Sequence, residues 1–198
     1  MPEDTTELRE RLSIIESMIA EGRRSTESWG STFVLWGVAY YVAMAWSGWG
    51  HTGWAWPVTI SIAAVLTIVL AFSNTRGHPR TTLSRTIGSI WIALGVSMFL
   101  LFFALGLTGR LTDRHLFVAV ISAMLGLANG ASALILRWKV QLGCALVWWA
   151  AAVAACFGSE TQSVIIFLVA IFLCQIVFGT YGMIANTQGR KRQAPLHA

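Results

Sequence analysis

Six apolar stretches, each about the length of one bilayer crossing, alternate with short polar gaps between Ser31 and Ala185. That pattern leaves the chain few folds. A helix rises 1.5 Å per residue, so crossing a hydrocarbon core roughly 30 Å thick takes about 20 mostly apolar residues. The stretches are residues 31–48, 55–73, 87–108, 115–137, 140–157 and 162–185, and none carries Asp, Glu, Lys, Arg or His except at its ends. The basic residues then fix their order across the membrane. Arg9, Arg11, Arg23 and Arg24 precede the first stretch, and Arg76, Arg80 and Arg85 separate the second from the third. Arg137 and Lys139 part the fourth from the fifth, and Arg190, Lys191 and Arg192 follow the sixth. Of fourteen Lys and Arg, only Arg110 and Arg114 fall on the other side. Basic loops stay cytoplasmic. The sequence therefore predicts an all-α, six-span protein of three out-and-back hairpins, with both termini inside.

Composition agrees: 56% of residues are hydrophobic and 12% charged, against roughly a quarter charged in a soluble domain. The net charge of +5 is spread over four segments rather than gathered in one stripe, so no nucleic-acid partner is expected. About thirty largely polar residues precede the first stretch, and no secretory signal is expected. Cys144, Cys156 and Cys174 read as buried apolar packers. Cys156 lies at an outer rim, too far in depth from Cys174 for a disulfide.

Residues 1–28 form a cytoplasmic amphipathic helix, residues 29–186 the bundle and residues 187–198 a basic cytoplasmic tail. Asp4 and Glu7 have the spacing of a capping box. Leu8, Leu12, Ile15, Ile19 and Gly22 recur at steps of four and three, which places them on one helical face. The opposite face is mixed and slightly acidic, whereas lipid binding favours Lys and Arg there. Leu8, Leu12, Ile15 and Ile19 thus read as a face for docking on a protein partner or on a second copy.

Trp46, Trp49, Trp54 and Trp56 crowd the first outer loop, while Trp29 and Trp138 mark the cytoplasmic edge, where indoles favour the headgroup layer. Trp36, Trp91 and Trp148 recur about 55 residues apart, a faint hairpin repeat. Mitochondrial carriers also repeat hairpins three times, but the Pro and acidic residues of their signature are missing here. No Pro interrupts a span, so straight helices are expected.

Ala119, Ser122, Gly126 and Gly130 form a stripe of small side chains that lets another helix approach closely, within the bundle or across a dimer. Ala150, Ala154 and Gly158 form a shorter one. Asn129 and Gln175 are the most polar groups at depth, placed to bond each other or to line a solute route. His51, Asp113, His115 and Glu160 give every outer loop a group able to ligate a metal, although the spacing matches no metal motif. No Asp, Glu, Lys, Arg or His lies in the middle of a span, and no P-loop, dinucleotide fingerprint or nucleophile elbow occurs.

The run from Gly130 to Lys139, followed by Gly143 and Trp148-Trp149, resembles bacterial multi-pass membrane proteins of uncharacterised activity. The opening from Arg23 to Gly30 that leads into Leu35-Trp36-Gly37 does so too. Such proteins have a short amino-terminal helix and about six spans. Where they carry Pro-Gly-Tyr near the carboxyl end, this chain has Gly179-Thr180-Tyr181-Gly182. The resemblance implies a bacterial cytoplasmic membrane and transfers no activity. The functional expectation is a non-catalytic accessory, scaffolding or signal-relaying subunit without cofactor. The alternative is a channel or carrier for a small neutral or hydrophobic solute.

Overall fold

The computed structural model describes residues 2–50, 54–74, 82–108 and 113–193. These residues are helical apart from short turns, and no strand occurs among them. The helices are α1 (Pro2–Ser28), α2 (Gly30–Gly50), α3 (Ala55–Asn74), α4 (Thr82–Leu107), α5 (Arg114–Leu136), α6 (Lys139–Phe157), α7 (Glu160–Ile171) and α8 (Phe178–Gln193). A π-helical stretch, Phe172–Val177, joins α7 to α8. The last apolar stretch is thus one long helix with a wide turn inside it, where straight helices were expected. α1 begins at Pro2, which places Asp4 inside the helix and not at its cap.

Among the described residues, five segments are long and apolar enough to cross a membrane: Ala55–Phe72, Thr82–Leu105, His115–Leu136, Lys139–Phe157 and Glu160–Gln188. The sequence pattern calls for a sixth in α2. That helix has 21 residues and no charge, with glycines, tyrosines and hydroxyl side chains among its apolar residues.

Packing makes α5 the centre. Buried residues make up 56% of its apolar span against 6% for α4, which lies at the periphery. α5 and α6 are joined by only Arg137 and Trp138 and run antiparallel. Gly126 of α5 lies against the Trp149 indole and Gly130 against both Trp149 and Ala145. The short connection needs a left-handed residue, and Arg137 takes that place at φ 48° and ψ 41°. Its N–H and that of Trp138 donate back to the Ala133 carbonyl, closing the helix end.

α2 runs antiparallel to the α7–α8 helix. Gly30 lies against Gly179 and Met183, Gly37 against Gln175 and Ile176, and the Tyr41 hydroxyl donates to the Leu168 carbonyl at 2.8 Å. At the Gly30–Gly179 crossing the backbones touch, since a Cβ on Gly179 would sit 2.8 Å from the Gly30 carbonyl oxygen. Aromatic rings fill the space between helices. Phe33 packs edge-on to Trp91 and Phe178, and Tyr40, Trp148 and Phe117 surround Phe167.

Several interfacial expectations change. Trp49 and Trp54 are exposed, but Trp138 is buried against Phe178 and Tyr181. Cys144 and Cys174 are buried, whereas Cys156 is exposed. The three recurring tryptophans sit in different settings: Trp36 donates to Thr67 Oγ1, Trp91 packs on Phe33, and Trp148 is fully buried.

Replacing Gly179 or Gly30 with Ala is expected to destabilise the protein by about 1–3 kcal/mol, because two backbones must separate. Gly143→Ala, which meets nothing within 4 Å, is expected to leave stability unchanged or raise it by up to about 1 kcal/mol. Thermal unfolding in detergent checks the contrast. Equal effects at the two kinds of site would contradict the close crossing.

Candidate functional site

α1 is rooted at one end and free at the other. At the root, Gly22 lies against Leu83 and Leu136, and Thr26 is buried. Arg23 reaches the last turn of α5: Nε donates to the Leu136 carbonyl at 2.9 Å and Nη2 to the Arg137 carbonyl at 2.6 Å. A cation at a helix C-terminus answers carbonyls that have no intrahelical partner and meets the negative end of the dipole. Burial raises the Glu27 carboxyl, with Arg24 and Arg23 pulling the other way. Residues 7–18, by contrast, are exposed all round. Leu8, Leu12 and Ile15 are 53%, 59% and 53% exposed, and Ile19 is partly covered where the helix meets the bundle. Arg11 and Glu7 form an ion pair on this free length.

Of the outer-loop residues, Asp113, His115 and Glu160 are described. His51 lies outside the described residues. Among the described residues, no three His, Cys, Asp or Glu side chains are placed to hold one ion. Asp113 instead caps α5, accepting from the His115 and Leu116 N–H groups. Glu160 belongs to the first turn of α7. His115 Nδ1 lies 3.0 Å from the Ala155 carbonyl and 2.8 Å from Ser163 Oγ. Ser163 is fully buried and also bonds the Ala155 and Ser159 carbonyls. One histidine and one serine thus clasp the start of α5, the end of α6 and the start of α7. Ser163 gave no signal in the sequence, being one hydroxyl among apolar neighbours.

Within the bundle, Ser122, Gly126 and Gly130 are buried and Ala119 is partly buried. Trp149 and Ala145 of α6 occupy the glycine side of this stripe. Ala150 and Ala154 of the shorter stripe are exposed.

Asn129 and Gln175 do not bond each other. Asn129 Nδ2 donates to the Leu125 carbonyl of its own helix at 2.9 Å, and Gln175 lies in the π-helical turn beside Gly37 of α2. The side-chain oxygens of both lack a partner. So do Ser122 Oγ, Ser132 Oγ, Trp148 Nε1 and both amide atoms of Gln141. Gln141 is 0% exposed. Its sequence position, two residues after Lys139, reads as an interfacial helix start and hides that burial. No family model, curated protein or solved structure matches the chain.

The His115–Ser163 clasp is open to a double-mutant cycle by thermal unfolding. Ser163→Ala and His115→Leu are each expected to destabilise, with a coupling of about 1 kcal/mol for the shared hydrogen bond. Strict additivity would contradict the clasp.

Proposed function

We propose that this chain is a non-catalytic, six-span subunit of a bacterial cytoplasmic membrane, and that it works by assembling through α1. The exposed face Leu8, Leu12 and Ile15 carries this reading: it stands on a helix held to the bundle only at its far end. A free helix in water gains little stability from its own hydrogen bonds, so an apolar face of this kind calls for a partner. The partner is a second protein or a further copy of the chain. The acidic residues flanking the face, Glu7, Glu10 and Glu16, argue against bare anionic lipid. Lipid meets the peripheral helices instead, where Ile62, Val65, Phe72, Ile92 and Phe99 are exposed.

Six crossings are supported by the way α2 follows the whole of α7 and the π-helical turn, from Tyr41 beside Leu168 to Gly30 beside Gly179. A shared cytoplasmic side for both termini is supported by contacts at one end of the bundle. There Arg23 binds the Arg137 carbonyl and Glu27 lies against Gly182, which brings three of the basic segments together. Non-catalytic action is supported by the lack of Asp, Glu, Lys, Arg and His in mid-span. A second reading, a channel or carrier for a small neutral solute, draws support from the unpartnered oxygens of Asn129 and Gln175.

The triple variant Leu8→Asp, Leu12→Asp, Ile15→Asp tests the assembly reading. Native mass spectrometry of gently solubilised protein should show loss of the partner or of the oligomer, with the melting temperature unchanged because these side chains support no fold contact. An assembly that survives all three charges would contradict it.

A further inference from the structure

Six of the seven unpartnered buried atoms noted above fall in one short length of the bundle. The facing pairs Gly126–Trp149 and Gly130–Ala145 set the register of α5 against α6. By that register, Gln141, Ser132, Asn129 and Trp148 span about 10 Å of depth at 1.5 Å per residue, in the half nearer Arg137. Gln175 joins them: its neighbour Cys174 donates to the Cys144 carbonyl at 3.5 Å, which fixes the level of the π-helical turn. Gln175 is 3% exposed and Asn129 1%. π-helical turns recur at functional sites, and this one sets Cys174 and Gln175 side by side in the interior.

A buried polar atom without a partner costs about 1–3 kcal/mol, so six together are a load that a marginally stable fold does not carry. The atoms are of both kinds. Asn129 Oδ1, Gln141 Oε1 and Gln175 Oε1 only accept, Gln141 Nε2 and Trp148 Nε1 only donate, and the Ser132 hydroxyl does either. A cation would serve the oxygens and face the N–H groups unfavourably, and an anion would do the reverse. No ionised side chain stands among the six to hold either. A neutral molecule with both donors and acceptors answers the whole set. We propose that Asn129, Ser132, Gln141, Trp148 and Gln175 form an internal binding site for small neutral molecules that donate and accept hydrogen bonds, water or a solute of primary-amide size. The site does not depend on assembly through α1, and it is the seat that the solute reading requires.

Thermal unfolding of the purified full chain in detergent tests it, with acetamide as the probe. Gln141→Met and Gln175→Met keep side-chain length and remove the amide. Each is expected to raise the unfolding equilibrium constant about tenfold, the size of a lost buried hydrogen-bonding group. Together they should do less than the product of the two, because they share an occupant. Ser132→Ala, mild enough to fold, should couple to Gln141→Met in the same way. If acetamide raises the melting temperature of the wild type and not of Gln141→Met, the occupant is a solute. If acetamide has no effect while the coupled losses remain, the occupant is water. Variants as stable as the wild type, or strictly additive losses, overturn the site. Absence of solute flux in proteoliposomes would remove the carrier reading and leave the site standing.

Discussion

Hydrocarbon offers no hydrogen bond, so every polar group in this bundle must find its partner inside the protein or bring one in with it. The helical backbone meets that demand along most of its length, and the α5–α6 hairpin is where the helices pack most closely. The turn between the helices is two residues long, and Arg137 closes it in a left-handed conformation that an L side chain adopts at a cost of about 1–2 kcal/mol. Gly126 and Gly130 let the two helices sit close enough for Trp149 to lie over both. The other helices arrange themselves on this pair. α7 is clasped at its first turn by His115 and Ser163, and α4 and α3 form an exposed apolar edge. α2 closes the remaining side by backbone contact at Gly30 and Gly179.

The same hairpin ties α1 to the interior. Arg23 binds the two carbonyls that end α5, and Gln141, in the first turn of α6, lies just beneath that turn. α1 therefore meets the bundle through its last turns, with the Arg23 guanidinium, Gly22 and Glu27 in contact, while its apolar face projects free. A partner that pulls on α1 bears on the end of α5, the helix that carries Asn129 and Ser132. The exposed face of α1 and the buried polar groups of α5 and α6 are thus linked at one helix terminus.

Most helix boundaries were legible in the sequence, because charges stop at span ends and apolar runs set the lengths. The stripe on α5 was legible for the same reason: small residues at helical spacing have one physical use in lipid. What escaped were features without a periodic or compositional mark. The π-helical turn carries no Pro or Gly. The Gly30–Gly179 contact joins residues distant in sequence and coincides with no stripe. Gln141 looked interfacial because it follows Lys139 so closely. Trp138 looked like a headgroup anchor, yet the left-handed Arg137 turns it inward onto Phe178. Nor could the sequence show that Asp113 is used as a cap and His115 as a clasp.

The most direct measurement is the sidedness of α2, on which six crossings and a common side for both termini depend. Single cysteines at Glu10, Trp49 and Gln188, in a chain otherwise freed of cysteine, can be probed in intact cells with a membrane-impermeant thiol reagent. Labelling of position 49 alone from outside, with positions 10 and 188 reached only after the membrane is opened, is the expected result. Positions 10 and 188 on opposite sides would mean five crossings, and would contradict the arrangement of α2 beside α7 as a pair of spans.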